Sequence, residues 1–269
     1  MLWHDNLISR IEEVVDASLK IADDIVQEFN QEINIEGEES AGDLRECHRV
    51  LQQCCPACYG GSTTGTTLAD GCDSHVSVDG NFNHWHLRVK GQGLRMPEPE
   101  LYLSQEYVDE VGEHIEAARK KNPRERNPKV PDSAVDECED GHIAGSGTYV
   151  KTSTKKYDDT STMALVCRHN IPIFLANINT PGEQQKYAVA LIGKLYSLLP
   201  SNATVAVFYD VGCVLDRSLE LYQILPAQLT RRLLFATSAM HTYAHQWACQ
   251  LVYNPRLREA LGLSNGEVD

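Results

Sequence analysis

The sequence predicts an α/β fold, a mixed β-sheet with flanking helices. Short apolar runs rich in β-branched residues alternate with longer stretches of helical spacing, an order typical of helices packed on a central sheet. One run, ATVAVFYDVGC, is continuously apolar, as expected for a central strand buried on both faces. At 269 residues the chain is long enough to bury a core of ordinary size.

The first part of the chain combines a helix, a cysteine-rich element and two strands. Apolar positions at helical spacing predict an amphipathic helix over residues 8–29, and we assign residues 1–45 to this helix and a linker. A cysteine-rich element is predicted at 46–74. The stretch HVSVDGNF (75–82) alternates as on a half-buried strand, and NHWHLRV (83–89) is predicted to pair with it.

Residues 75–269 are predicted to form one main domain with a long insertion at about 91–160. Long charged runs and several prolines indicate that this insertion lies outside the core, and it contains one predicted helix at 104–121. The elements predicted after it are a strand at 162–168, an extended piece at 172–178, a helix between Pro181 and Pro200, a central strand ending at Asp210, a helix at 214–232, the short apolar run LLFATSAM and a helix carrying HTYAHQWACQLVY.

Composition excludes several classes of protein. The chain is 42% hydrophobic and 23% charged, and it has no uncharged apolar run near the roughly 20 residues of a bilayer span, which excludes a transmembrane segment. Its N-terminal stretch is acidic and amphipathic, unlike a secretory signal, so we expect an intracellular protein. The net charge of -14 argues against nonspecific nucleic-acid binding by the whole chain, so any DNA contact must be local, metal-assisted, or made by a part of the protein outside this sequence.

Asp79 and Asp210 each stand at the end of a predicted strand. A lone strand-end aspartate is usually a turn former that binds its own backbone. If the two strands lie side by side, both carboxylates can instead hold one or two divalent cations. A third carboxylate, Glu267, would complete the oxygen-rich site that Mg²⁺ requires for phosphodiester cleavage. Spacing alone leaves both interpretations open.

Nine cysteines, an odd number, lie partly in short clusters with histidines, which favours zinc over disulfides. One predicted closed zinc site takes two sulfurs and two nitrogens from Cys138, His142, Cys167 and His169. The alternative is two unrelated surface pairs.

Two further sets of residues are candidate zinc ligands. The first set has C-x3-C and C-x2-C spacings and consists of Cys54, Cys55, Cys58 and Cys72. The second set falls on one face of a predicted helix and consists of His241, His245 and Cys249. Packing under the sheet explains the second set equally well. Cys213 is either its fourth ligand or a buried small apolar residue.

One basic run, KKNPRERNPK at 120–129, is the strongest positive patch of the sequence. Its candidate phosphate contacts are Lys120, Lys121, Arg124 and Arg126. The alternative is a solvated face, the usual role of a charge run. Trp247 is interpreted as a core residue rather than as a base-stacking platform.

Several longer strings carry a resemblance to a known family. The strings DECEDGH, CRHNIPIFLANINTPGEQQKYAVALIGKLYSLLP, ATVAVFYDVGCVLDRS, HTYAHQWACQLVYNPR and GLSNGE, in this order after CPACY and VSVDGNFNH, resemble the transposase domain of the Kyakuja-Dileera-Zisupton family of eukaryotic DNA transposases. The resemblance runs from about Cys54 to the C-terminus. It implies an RNase H-like fold, a nuclear protein that acts in DNA recombination, and double-stranded DNA as the partner, and it is compatible with a homo-oligomer.

The resemblance also implies a catalytic Asp, Asp, Glu triad that uses Mg²⁺ or Mn²⁺ to cleave DNA and join ends. By position the triad matches Asp79 in VDGNF, Asp210 in FYDVGC and Glu267 in GLSNGE. Members of the family typically continue beyond this string, whereas this chain reads GEVD and ends, so we expect a truncated copy with weak or no cleavage of DNA. Two alternatives stay open: a catalytically silent, zinc-stabilised descendant that binds DNA or protein, and a metal-dependent nuclease without strand transfer.

Overall fold

The computed structural model describes residues 46–61, 64–82, 86–87, 101–141, 157–180, 182, 184–261 and 266, together with residues 14, 15, 17, 18, 20 and 21. The chain divides into two compact units, Met1–Leu44 and Arg45–Asp269. In the first unit the described residues are helical, within the helix predicted at 8–29. Among the described residues, no helix combines the length and the apolar surface that a bilayer span requires.

Helices and strands alternate through the second unit, which confirms the predicted α/β class. The strands are β1 (Ser74–Asn81), β2 (His86–Leu87), β3 (Tyr157–Asp159), β4 (Ser161–Cys167), β5 (Pro172–Ile178), β6 (Val205–Tyr209) and β7 (Leu233–Ala236). The helices are α1 (Arg49–Cys54), α2 (Pro56–Tyr59), α3 (Gln105–Arg119), α4 (Asp132–Gly141), α5 (Gln185–Ser197), α6 (Gly212–Leu221), α7 (Ala227–Thr230) and α8 (Trp247–Tyr253), with 3-10 turns at His241–Ala244 and Pro255–Leu257.

Five strands form one mixed sheet in the order β5-β4-β1-β6-β7. β1 lies in the middle, antiparallel to β4 and parallel to β6. β4 pairs antiparallel with β5, and β6 pairs parallel with β7. Neighbouring strands are therefore antiparallel among β5, β4 and β1, and β6 and β7 on the other side run parallel to β1. β2 and β3 form a separate two-stranded sheet.

The strands predicted at 75–82, 162–168 and 172–178 are confirmed, as is the central strand before Asp210. The predicted pairing of 83–89 with the first strand is wrong, because the described part of that run, β2, pairs with β3. Val76–Val78 of β1 pair with both β4 and β6, so this part of β1 has no backbone edge left for a third partner.

The two faces of the sheet carry cores of different size. Alternate residues of β1 and β6 enter the main core with the apolar side of α5, namely Val76, Val78, Val207 and Tyr209. Phe208 belongs to a smaller core on the opposite face, together with Cys72 and Leu261. Because side chains alternate along a strand, Asp79 and Asp210 belong to the face of this smaller core.

Part of the predicted insertion belongs to the core, which corrects the expectation that it lies outside. The helix predicted at 104–121 is present as α3, and it packs on α5, while α4 packs on α6 and α8. Buried apolar residues of this segment are Val108, Ile115, Val130, Val135 and Cys138. The charges of both helices lie on their outer faces, so composition alone hides the apolar inner faces.

Two long predicted helices are interrupted. The helix predicted at 214–232 ends at Leu221, where Tyr222 is extended, and a new helix begins after Pro226. Proline cannot donate the backbone hydrogen bond of a continuing helix. The stretch HTYAHQWACQLVY is a 3-10 turn followed by α8, because His245 is extended with ψ of 160°. The prediction that its two histidines and its cysteine share one helix face is therefore wrong.

Asp73 ties the amino-terminal ends of β1 and β6 together. Its carboxylate accepts hydrogen bonds from the backbone amides of Thr204 and Thr66, both at 2.8 Å, and of Gly65 at 2.9 Å. Burial acts to raise the pKa of this carboxyl, but the hydrogen bonds, first that of Thr204, outweigh burial and hold the pKa below its usual value. The two central parallel strands are thus joined at their starts by a charged group.

Candidate metal centres and nucleic-acid interface

The first candidate site is the pair of aspartates at the strand ends. Val78 of β1 pairs with Tyr209 of β6 in parallel register, and Asp79 and Asp210 are the residues that follow. Asp79 lies two residues before the end of β1, and Asp210 directly follows β6, so the two aspartates stand at adjacent positions where the pairing of these strands ends, on the face of the smaller core. Two carboxylates in this arrangement offer the oxygen donors that hard divalent cations prefer.

Each aspartate is oriented by its neighbours. The Gly80 amide donates a hydrogen bond to Asp79 Oδ1 at 2.7 Å. His241 Nδ1 lies 2.6 Å from Asp210 Oδ1, and Ser238 Oγ donates to the same oxygen at 3.3 Å. Ser238 Oγ and His241 Nδ1 are 2.7 Å apart. His241, predicted as a zinc ligand, is instead a partner of Asp210.

Glu267, the predicted third carboxylate, lies outside the described residues. Its neighbour Gly266 is described, with a φ of +69°, and a Cβ placed there would stand 2.5 Å from the ring of Phe208. Phe208 precedes Asp210 by two residues and therefore lies on the same face of the sheet. Gly266 thus packs on the face that carries the two aspartates.

A second candidate site, the sheet cluster, consists of Cys55, Cys58, Cys167 and His169, whose ligand atoms all lie within 4.8 Å of one another. The three sulfurs stand 3.5, 3.2 and 3.9 Å from His169 Nδ1. Zinc bonded to sulfur and nitrogen in a tetrahedron holds those atoms about 3.5 Å apart. The four side chains therefore fit one tetrahedral zinc ion.

Distant parts of the chain meet in the sheet cluster. Cys55 and Cys58 come from the junction of α1 and α2 and from α2 itself, Cys167 ends β4, and His169 lies in the turn to β5. Burial, followed by the charge of the neighbouring Cys167, raises the pKa of the Cys58 thiol. The Cys58 thiol therefore resists ionisation, and a bound cation would remove that penalty.

A third candidate site, the helical cluster, consists of Cys138, Cys213, His245 and Cys249, whose ligand atoms also lie within 4.8 Å of one another. Cys138 belongs to α4, Cys213 to α6 and Cys249 to α8, and His245 lies in the turn before α8. Cys213 Sγ stands 3.6 Å from His245 Nδ1, a separation that suits a tetrahedral zinc ion. An ion here would fasten three helices together.

The pKa values of two thiols in the helical cluster favour binding of a cation. The hydrogen bond from Cys213 lowers the pKa of Cys138 to about 5 and that of Cys249 to about 7, while the same bonds raise the pKa of Cys213. Burial acts to lower the pKa of His245, but the hydrogen bond with Cys249 and the charge of Cys138 raise it. The lowered pKa values of Cys138 and Cys249 favour the thiolate, which is the metal-binding form of cysteine.

The zinc sites predicted from spacing are partly wrong. Cys138 and Cys167 belong to different clusters, so the single site predicted for them does not form; His142 lies outside the described residues. Cys54 belongs to neither cluster. Cys72 is buried in the smaller core with a φ of +68°. The alternative that Cys213 is a fourth ligand beside His245 and Cys249 agrees with the helical cluster. Cys138 takes the place predicted for His241.

Two residues of the basic run form ion pairs within the protein, a role that the sequence did not predict. Arg126 pairs with Asp132 and, at 3.0 Å, with Glu220. Lys129 pairs with the buried Asp216 at 2.6 Å, and Tyr253 donates to the same carboxylate at 2.9 Å. Its remaining predicted phosphate contacts are exposed, namely Lys120, Lys121 and Arg124.

A cleft of about 910 Å³ lies between α3, α4 and the amino-terminal ends of α5 and α6. Its acidic lining residues are Asp109, Glu113, Glu116, Glu139 and Asp140. Of its two basic residues, Lys186 pairs with Asp109 at 2.7 Å. This negative lining makes the cleft unsuitable for phosphate groups.

Sequence reasoning missed an exposed aromatic stretch beside Asp210. Trp247, interpreted as a core residue, is 69% exposed, and Tyr243 is 66% exposed. Both follow His241, the partner of Asp210, by a few residues. Their apolar character suggested burial, and the signal that could have revealed them is their position between polar residues, in HTYAHQW.

These features define the class of the protein: an α/β protein with paired strand-end carboxylates and two sets of cysteine and histidine ligands that could hold a metal such as zinc. The family model of the Kyakuja-Dileera-Zisupton transposases matches residues 72–268, so the chain belongs to this family. The resemblance noted in the sequence is thereby confirmed, and membership implies a transposase-related function and DNA binding. No curated protein and no solved structure matches the chain significantly.

Proposed function

We propose that the chain is a metal-dependent DNA transposase that cleaves phosphodiester bonds and transfers strands in the nucleus. The observation that carries this proposal is the adjacency of Asp79 and Asp210 at the carboxyl ends of β1 and β6. Paired carboxylates at such a position suit cations that act on phosphodiesters. Family membership supports DNA as the partner.

An RNase H-like fold is part of the proposal. Three antiparallel strands, β1, β4 and β5, come first in the chain, and β6 and β7 then extend the sheet parallel to β1. A helix, α5, precedes β6, and α6 precedes β7. This order supports the assignment that the family resemblance implies.

Mg²⁺ or Mn²⁺ fits the donor atoms of the aspartate pair. Asp79 and Asp210 would hold the ions, with Glu267 as the third carboxylate, and the packing of Gly266 on Phe208 supports that third role. When bound, these ions supply activation of a water or 3′-hydroxyl and stabilisation of the leaving oxygen. The chain itself keeps the carboxylates in place, through Gly80 at Asp79 and through His241 and Ser238 at Asp210.

Zinc is the proposed occupant of the sheet and helical clusters. Each cluster offers four protein ligands, three sulfurs and one nitrogen, which is the donor set of a closed structural site. Such a site keeps no open position for a substrate, so its role is to stabilise the fold.

The proposal is tested by incubating purified protein with a labelled DNA duplex bearing the element ends, in Mg²⁺ and in Mn²⁺. We expect cleavage and joining to a target duplex, lost on Asp79→Asn and on Asp210→Asn. The matched control is Asp140→Asn, on the exposed side of α4, which should retain activity. Cleavage without joining would identify a nuclease. Zinc-loaded, folded protein without cleavage would identify a catalytically silent descendant and overturn the proposal.

A further inference from the structure

Four large apolar side chains stand exposed within twelve residues of sequence, and we name them the aromatic surface. Their exposed fractions are 71% for Met240, 66% for Tyr243, 69% for Trp247 and 52% for Leu251. Single exposed apolar residues are common in soluble proteins, but large aromatic rings gathered in one stretch usually mark a binding surface. The aromatic surface is therefore a candidate binding site.

The aromatic surface lies next to the aspartate pair and is firmly supported. Tyr243 follows His241, the partner of Asp210, by two residues. The turn that carries Tyr243 is anchored through the buried Thr242, whose hydroxyl donates to the Ser238 carbonyl at 2.8 Å. Trp247 begins α8, which contacts that turn and supplies Cys249 to the helical cluster. Rings on a fixed support lose little conformational entropy on binding.

The position of the aromatic surface and the lack of acidic residues in its segment indicate the kind of ligand. In a chain of net charge -14, residues 221 to 258 contain no aspartate and no glutamate. The same segment contains the arginines Arg231, Arg232, Arg256 and Arg258. Of these, Arg256 is exposed just after α8, whereas Arg231 and Arg232 lie before β7, at the end of the sheet opposite Asp210. Aromatic rings next to the proposed DNA-cleaving carboxylates, in a segment free of acidic residues, suit single-stranded nucleic acid, whose bases stack on such rings.

We infer that the aromatic surface binds unpaired DNA bases next to the scissile phosphate, with Tyr243 and Trp247 as stacking platforms. This inference rests on the proposed function, because it takes DNA at the aspartate pair as given. Paired bases already stack on one another inside a duplex, so the rings gain contact only where bases are unpaired.

The test compares two fluorescein-labelled probes, a single-stranded thymine 20-mer and a fully paired duplex of the same length, by fluorescence anisotropy. We expect Trp247→Ala to weaken binding of the single strand about ten-fold and Tyr243→Ala to have a similar effect, while duplex binding changes less than about two-fold. Trp247→Phe, which keeps a ring, should stay within about three-fold of the wild type. All these positions are exposed, so the variants should melt as the wild type does.

Leu251→Ala is the matched control, because Leu251 lies one helical turn from Trp247 on the same exposed side of α8 and has no aromatic ring. Unchanged single-strand affinity in Trp247→Ala, or an equal loss in Leu251→Ala, would overturn the inference. So would a dimer in sedimentation that Trp247→Ala dissociates without affecting DNA binding. Asp79→Asn separates the two proposals, since it should abolish cleavage and leave single-strand binding intact. Wild-type protein that binds neither probe would overturn both.

Discussion

The sheet cluster and the helical cluster have the same donor set, three thiols and one imidazole, yet they lie at opposite ends of the central strands. Cys167 of the sheet cluster pairs with Val76, near the amino-terminal end of β1. Cys213 of the helical cluster comes three residues after Asp210, at the carboxyl end of β6. Only the helical cluster shares an end of the sheet with the aspartate pair.

This difference in position indicates that two candidate metal sites with the same ligands can have different roles. The sheet cluster fastens the cysteine-rich helices α1 and α2 to the turn between β4 and β5. The helical cluster includes a residue from each of the two segments that meet at Asp210. Cys213 in α6 follows Asp210 by three residues, and His245 follows His241, the partner of Asp210, by four. We therefore expect a zinc ion in the sheet cluster to stabilise the fold, and a zinc ion in the helical cluster also to orient the aspartate pair.

The largest effect is expected from Cys249→Ser in the helical cluster. We expect loss of one zinc per chain and a fall in Mn²⁺ affinity at the aspartate pair of about 10-fold to 100-fold, the usual cost of disturbing groups that orient metal ligands. Elemental analysis measures the zinc, and calorimetric titration measures the Mn²⁺ affinity. Unchanged Mn²⁺ affinity after loss of this zinc would show that the two sites are independent.

Cys58→Ser in the sheet cluster is the counterpart. It should also release one zinc per chain and lower the melting temperature, because a closed zinc site contributes directly to the free energy of unfolding. The Mn²⁺ affinity should stay within about two-fold of the wild type, since this cluster lies at the other end of the sheet. A fall in Mn²⁺ affinity equal to that of Cys249→Ser would erase the distinction between the clusters.

Lys129→Met probes the support that α6 and α8 share beside the helical cluster. Asp216 is only 5% exposed and loses its ammonium partner in this variant, which should lower the free energy of unfolding by about 2 kcal/mol. Chemical denaturation measures the change. The exposed Lys120→Met is the control, expected to stay within about 0.5 kcal/mol of the wild type. Equal stabilities of the two variants would contradict a structural role for the basic run.

The smallest effect is expected at Asp73, which joins β1 and β6 without any metal. Asp73→Asn should lower the free energy of unfolding by about 1 kcal/mol, because the amide cannot reproduce all hydrogen bonds of the carboxylate. The pKa of Asp73 is lowered in the folded state, so its stabilisation is present above the ordinary value of 3.8 and is lost as the pH falls through the folded pKa. Denaturation curves measured from pH 7 downwards should therefore approach each other for the two proteins as the pH falls below 3.8. A constant difference across this range would assign the stabilisation to another group.

The strands and the aspartate pair could be predicted from the sequence because both depend on local patterns. The runs that became β1, β4, β5 and β6 are short, apolar and rich in β-branched residues. A carboxylate directly after such a run must lie at a strand end, and the resemblance to the transposase family selected Asp79 and Asp210 among the candidates.

The partners within each cluster could not be predicted, because they are set by tertiary packing. Cys55 and Cys167 are 112 residues apart in the sequence, and no spacing rule links the start of α2 to the end of β4. Cys138 was predicted to share a zinc ion with His142 because the two are close in sequence, but its cluster partners are all more than 70 residues away. His241 looked like a zinc ligand because a continuous helix would align it with His245, but the chain turns at His245.

The central position of β1 has a consequence during synthesis on the ribosome. Its two neighbours, β4 and β6, are both made much later than β1 itself. Until they arrive, the strand has two open edges, and the nascent chain is exposed to wrong pairing with other strands. Asp79 meets Asp210 only after β6 has docked, which is a slow, non-local step. An incomplete polypeptide therefore cannot assemble the aspartate pair, and this pair exists only in a chain whose sheet has closed around β1.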